Sequence, residues 1–306
     1  MKKTDNNYWS MYRLLYGLLL TTLIISSLIL PAQAAEQSSA AGEKAEIKIA
    51  APLFIVRDLC SKDLFGTLDK IAACGYDGVE LFGFFGHKPE EIAAHLASIH
   101  LIPLGNHVSY ADFKNNLEKT IQEHKIIGVK YITIGSFPRE RQPGGELYRQ
   151  TLEEIKQYSA AARQAGITLL YHNHAGELTK RGDKTVLSHW LDDAPFLSLE
   201  PDVGWMKIAG ADPLPYLIQY KDRCPVIHVK DFRPETKTAG KSFIFRPIGY
   251  GVVNFPQLLP AILDCNPDWI VCDHDAAYDG NPISELELSL NYVRALLKLE
   301  IQGNVK

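Results

Sequence analysis

The sequence is poor in the features that announce several common functions. It holds five cysteines, Cys60, Cys74, Cys224, Cys265 and Cys272, with no CxxC pair among them. The odd number argues against a complete disulfide framework, and the missing pairs argue against a thiolate zinc site. Most of these residues sit inside apolar helix or strand patterns, so buried thiols are expected. Positive charge is not in excess either: 32 Lys and Arg face 36 Asp and Glu, a formal net charge of −4. A nucleic-acid binder needs a basic face, and no such partner is expected. No glycine-rich phosphate loop follows the first apolar strand, which runs into Ala51-Pro52-Leu53-Phe54. Gly249-Tyr250-Gly251 is too short and too late to serve as one. This absence counts against an open, doubly wound nucleotide-binding sheet.

What is present begins with an export signal. Lys2, Lys3 and Arg13 form a basic region, residues 14–30 are an apolar run, and Ala32-Gln33-Ala34 supplies a small-x-small cleavage site. That order predicts cleavage after Ala34 and a periplasmic or secreted protein. The apolar run approaches membrane-spanning length, but the small-residue site directly behind it favours cleavage over a retained anchor. Residues 35–45 are small and polar like a tether, and the fold is expected over residues 46–300. About 260 residues suit one α/β barrel.

Short apolar runs alternate with longer amphipathic stretches to the end of the chain, the pattern of parallel strands joined by helical crossovers. Eight strands are expected, at 47–53, 78–82, 102–106, 131–135, 168–172, 196–200, 226–229 and 269–272. Helices fit between and after them, at 62–73, 89–99, 111–127, 146–165, 185–191, 212–219, 255–263 and 283–299. In the last, Ile283, Leu286, Leu290, Val293 and Leu297 recur at helical spacing and form a core-facing stripe. Eight βα units predict a closed (β/α)8 TIM barrel.

A barrel of this kind builds its active site from the C-terminal ends of its strands, and here those ends are polar. They read Val79-Glu80-Leu81-Phe82, Gly105-Asn106-His107, Tyr171-His172-Asn173-His174, Glu200-Pro201-Asp202, His228-Val229-Lys230-Asp231 and Cys272-Asp273-His274-Asp275. One such histidine is usually a structural hydrogen-bonding residue. Several converging on one mouth, with carboxylates, predict a divalent metal ion of the Mn, Zn, Co or Fe type. His172, Asp202, His228 and Asp273 lie about one βα unit apart, as expected if strands five to eight each supply one ligand.

Three segments closely resemble the xylose isomerase-like TIM barrel family: Tyr171-His172-Asn173-His174-Ala175-Gly176-Glu177-Leu178; Glu200-Pro201-Asp202-Val203-Gly204-Trp205 with Ala209-Gly210-Ala211-Asp212-Pro213; and Ile227-His228-Val229-Lys230-Asp231-Phe232. Segments 78–83 and 247–253 add to the resemblance, which spans residues 47–298. It implies a metal-dependent enzyme of the sugar isomerase, epimerase or dehydratase kind. Asp202 and His228 fall on the family's ligand positions, whereas His172 and Asp273 stand where Glu is common. Glu177 is the nearby carboxylate able to replace His172, as a ligand or as an acid/base.

Glu80 is expected to be a substrate-binding or proton-moving carboxylate, or else a salt-bridged rim residue. His107 and His174 correspond to pocket residues that contact hydroxyls or shuttle protons, or else support a metal ligand. Lys230 steadies an enolate oxygen, or else pairs with Asp231. Trp205, Phe82, Phe84 and Phe85 offer an apolar wall, or else pack in the core.

The chemistry expected is proton removal beside a carbonyl through a metal-stabilised enediolate. Export favours a non-phosphorylated sugar or keto-sugar, since phosphorylated sugars are mainly cytoplasmic. The same intermediate can expel a β-leaving group, so a lyase or dehydratase stays open, as does a sugar-binding barrel without chemistry. An abasic-site endonuclease, which the family also contains, would need a basic face that this chain lacks. An apolar outer helix face leaves homo-oligomerisation open.

Overall fold

The computed structural model describes residues 47–235 and 242–303. The export signal and the tether expected at the amino terminus lie outside the described residues. All eight expected strands form: β1 Lys48–Pro52, β2 Gly78–Leu81, β3 Ile102–His107, β4 Tyr131–Ile134, β5 Thr168–His172, β6 Ser198–Glu200, β7 Val226–Pro234 and β8 Trp269–Asp273. They pair in parallel in the order β7-β8-β1-β2-β3-β4-β5-β6. The ring closes through a β-bridge between Asp202 and His228.

The main crossover helices are α1 Leu64–Cys74, α2 Pro89–Ser98, α3 Leu117–Ile127, α4 Tyr148–Gln164, α5 Val186–Asp193, α6 Pro213–Tyr220, α7 Phe255–Asp264 and the terminal α8 Pro282–Ile301. Local signals set their ends. Asp63 caps α1 by accepting the Gly66 N–H at 2.9 Å. Gly75 ends α1 at φ 96°, a left-handed conformation that a side chain would strain. The α8 stripe packs as expected, with Leu286, Leu290 and Val293 buried and Ile283 and Leu297 partly so. Burying each such leucine contributes about 2 kcal/mol.

Several boundaries differ from expectation, most by one or two residues. The helix expected over 111–127 is two helices, Tyr110–Asn115 and α3, because Asn116 leaves helical geometry at φ −137°. β7 runs five residues past its expected end, because a β-arm, Phe243–Arg246, pairs antiparallel with Asp231–Pro234. Paired backbone there needs no apolar run to announce it. β6 is two residues shorter than expected at its start, since Phe196 precedes the ladder.

Two apolar layers surround the strands. The larger one lies between strands and helices, and a smaller cluster of Ala50, Leu104, Tyr131, Leu170, Val226, Trp269 and Val271 fills the barrel interior. Side chains alternate along a strand, so the interior residues Leu170, Val226 and Val271 share a face with His172, His228 and Asp273. The apolar plug thus carries a polar layer on its C-terminal side.

Candidate metal centre

That polar layer is a cluster of imidazoles and carboxylates. Glu80 Oε2 lies 3.2 Å from His107 Nε2 and 3.1 Å from His228 Nε2. Glu200 Oε2 lies 3.2 Å from His107 Nε2 and 3.3 Å from His172 Nδ1, while its Oε1 is 3.5 Å from His228 Nε2. On the other side of the histidines, His172 Nε2 is 3.9 Å from Asp202 Oδ2, and His228 Nδ1 is 3.1 Å from Asp273 Oδ2. All of these residues are buried except His107, which is 20% exposed.

Two overlapping groups of donor atoms are compact enough to hold one ion. One comprises His107, His172, Glu200 and His228; the other comprises His172, Asp202, His228 and Asp273. The structure therefore brings together the four residues predicted as ligands, and it adds to them Glu80, His107 and Glu200. Glu200 was not singled out in the sequence. Its signal is parity: it stands two residues before Asp202, on the same face of an extended segment.

A buried polar group normally has a hydrogen-bond partner, and this cluster breaks that rule in one place. Glu80 Oε1, His107 Nε2, His172 Nδ1, Glu200 Oε2, Asp202 Oδ2, His228 Nε2 and Asp273 Oδ1 are all buried without one. Nitrogen and oxygen donors that approach each other without aiming at each other fit a shared divalent cation.

Lys230 stands beside this layer, its ammonium 3.1 Å from Asp202 Oδ2, 2.9 Å from Asp273 Oδ2 and 2.5 Å from Asp275 Oδ1. Its expected alternative partner, Asp231, faces elsewhere and accepts backbone N–H bonds from Phe232, Gly249, Gly251 and Val253. The charges tune one another. Burial pulls Lys230 down, but Asp202 and Asp273 outweigh it and push it above its ordinary value. Burial likewise opposes protonation of His107, yet Glu80 and Glu200 push it up to about 10. Burial raises Asp202 to about 6, with Lys230 opposing. His172 falls well below the usual histidine range, through burial and the cations around it.

The layer opens into a cavity of about 760 Å³. Glu80, His107, His172, His174, His228, Lys230, Asp273 and Asp275 line it together with Phe54, Phe82, Tyr110 and Phe137. The Phe54 and Phe82 rings meet edge to face at 4.7 Å. Burial lowers the His174 imidazole, and its ring has no hydrogen bond among the described residues.

Other candidates lie elsewhere. Glu177 is buried on the short turn Gly176–Leu178, where its Oε2 accepts the His174 backbone N–H at 2.9 Å, and it does not line the cavity. Trp205 packs over the Lys230 ammonium at 4.9 Å, and Phe84 packs on His124. His274 pairs with Glu285 of α8 at 3.1 Å.

A family model described as xylose isomerase-like TIM barrel matches residues 68–296. Among curated proteins, the chain is similar to an inosose dehydratase of Mesomycoplasma hyopneumoniae, 24% identical over 264 residues, covering 76% of this chain and 88% of the relative. An inosose dehydratase of Geobacillus kaustophilus is 23% identical over 268 residues, covering 76% and 86%. Among solved structures, a sugar phosphate isomerase/epimerase of Parabacteroides distasonis superposes with a TM-score of 0.64 at 18% identity, over 84% of this chain and 96% of that one. The IOLI protein, solved with a zinc atom, gives a TM-score of 0.64 at 12% identity, over 82% and 98%. At such identities the structural likeness bears on fold alone.

Proposed function

The chain belongs to the xylose isomerase-like TIM barrel family, and from that premise we propose that it moves a proton at the carbon beside a carbonyl of a non-phosphorylated sugar or keto-sugar, as an isomerase or epimerase. The observation that carries this reading is the buried cluster of unpartnered nitrogens and oxygens opening into a cavity beside the free imidazole of His174. A divalent cation held by residues drawn from Glu80, His107, His172, Glu200, Asp202, His228 and Asp273 would supply Lewis acidity toward a substrate carbonyl.

The chain's own residues do the rest. His174 reaches the cavity with its ring uncommitted and takes the proton from carbon; the Glu177 carboxylate fixes its backbone. Phe54, Phe82 and Phe137 offer apolar faces for the C–H side of a sugar ring and keep water from the reacting carbon. Lys230 is committed to Asp202, Asp273 and Asp275, which favours an uncharged substrate over a phosphorylated one. The export signal read from residues 1–34 favours the same choice.

The inosose dehydratase relatives favour a second reading, in which the same proton removal is followed by loss of a β-hydroxyl as water. A panel of free ketoses and keto-glycosides incubated in D2O separates the two. Isomerisation or epimerisation places deuterium beside the carbonyl without loss of oxygen, whereas dehydration yields a conjugated, ultraviolet-absorbing product. His174→Gln should lower turnover roughly 100-fold, the scale of a lost acid/base, with little change in substrate binding. Unchanged exchange in that variant would remove His174 from the role.

A further inference from the structure

We propose that Cys224 and Cys265 are a thiol pair that closes into a disulfide by exchange with a disulfide-bearing oxidant, and that the bond staples the β7–α7 unit of the barrel. Both are free thiols in the structure. They lie at the N-terminal ends of β7 and β8, on the face opposite the polar mouth, so the pair stands apart from the candidate metal centre and from any reading of it.

The backbone brings the two residues together. Cys224 follows the short turn Lys221–Arg223, two residues before β7, and Cys265 caps the C-terminal end of α7. The Pro225 carbonyl accepts the N–H groups of Asp268 and Trp269 at 2.8 and 3.2 Å, which ties the two segments to each other. Next to Cys224, the Arg223 guanidinium donates to the Leu191, Ala194 and Leu197 carbonyls and fixes that side. A disulfide forms without strain only where two side chains face each other across a short gap, and here both segments are held before any bond is made.

The sulfurs meet at one end of α6. Cys224 Sγ lies 3.2 Å from the Tyr220 carbonyl oxygen and Cys265 Sγ lies 3.7 Å from that of Leu217. A side-chain hydrogen bond joins the two thiols. It favours a thiolate on Cys265, which falls below its ordinary value, and together with burial it pushes Cys224 up. The other three thiols are all raised: burial takes Cys60 and Cys272 up to about 12 and lifts Cys74 as well. Cys265 is therefore the nucleophile of the set.

The Cys265 thiolate attacks one sulfur of the oxidant and forms a mixed disulfide, and the oxidant's other sulfur leaves as a thiolate. Cys224 then loses its proton to water and displaces the remaining oxidant sulfur, completing the Cys224–Cys265 bond. Two cysteine thiols are oxidised by two electrons, one disulfide is reduced, and the two cysteine protons end on the two thiols released. The bond closes a loop over residues 225–264, which carries His228 and Lys230 on β7. Closing so long a loop mainly removes conformations of the unfolded chain. Exported compartments support such bonds, which agrees with the export signal read from residues 1–34.

The purified chain is reduced, freed of reductant and incubated in native buffer with oxidised glutathione, then unfolded and labelled with a maleimide. All five cysteines should label before oxidation, and all but Cys224 and Cys265 after it. Peptide mapping by mass spectrometry should place the bridge between those two, and the oxidised chain should melt about 5 °C or more above the reduced one. Cys265→Ala should form no bridge and melt at one temperature in both buffers. The mapping uses the unsubstituted chain, so the test does not depend on that variant folding. Full labelling after oxidation, a glutathione adduct on Cys265 without a bridge, or a bridge between any other pair overturns the proposal. A Cys224–Cys265 bridge that leaves the melting temperature unchanged overturns the staple.

Discussion

Asp202 and His228 form the β-bridge that closes the barrel, and the His228 backbone N–H donates to the Pro201 carbonyl at 2.9 Å. The seam of the fold is therefore also the place where β6 and β7 bring their polar side chains together.

The seam depends on a residue without a side chain. A Cβ added to Gly204 would stand 2.3 Å from the Lys230 carbonyl oxygen and 2.6 Å from its Cβ, closer than packed atoms allow. Gly204→Ala should push the helix Val203–Ile208 off β7 and cost about 2 kcal/mol or more. Urea unfolding measures this, and equal midpoints and slopes for variant and parent would refute it.

Lys230 offsets three carboxylates in a buried site, and its ammonium lies over the Trp205 and Phe245 rings. Lys230→Met removes that cation and leaves the acids uncompensated, a loss of about 3–5 kcal/mol. Adding Asp202→Asn to Lys230→Met should recover part of it, since one uncompensated charge is gone. Thermal and chemical denaturation of the single and double variants check this; a double variant less stable than Lys230→Met would contradict the account.

His124 gives the fold a pH dependence with a definite sign. Its Nδ1–H donates to the Thr120 carbonyl at 2.6 Å, its Nε2 accepts from Asn106 Nδ2 at 2.8 Å, and Asn106 Oδ1 accepts the Gly83 N–H at 2.9 Å. Burial holds this imidazole below its ordinary value, with the Thr120 carbonyl opposing. As pH falls past about 6.5, the unfolded chain takes up the proton that the folded chain refuses. Stability is untouched above that pH and declines below it. His124→Gln should flatten the decline just under pH 6.5, and an unchanged slope in denaturation profiles would dismiss His124 as its source.

Much of the site could be read along single strands. On β5, β7 and β8 the alternation Leu170–His172, Val226–His228–Lys230 and Trp269–Val271–Asp273 runs from plug to polar layer without interruption, so period-two reasoning finds the inward residues. It fails on β3. The ladder between β2 and β3 shifts register opposite Val79 and Glu80, which lets Leu104 join the interior plug while His107, three residues on, faces the cluster. Asn106, which strict alternation would turn inward, instead bonds to His124 on α3. A bulge of this sort arises from pairing between strands, and nothing in residues 102–107 alone announces it.

What the sequence determined by itself was the order of strands and helices, the polar ends of those strands, and the helix stops at residues such as Gly75, because propensity, capping and hydrophobic period act over a few neighbouring residues. The tertiary structure alone decided who faces whom. It set Glu200 against three histidines from three other strands, turned Asp273 onto His228, and drew Lys230 onto Asp202 and Asp273 and away from its neighbour Asp231. It also folded Glu177 back onto its own turn. Those choices depend on distances across a closed ring and on which buried charges must be balanced, and both come into being only when β6 meets β7.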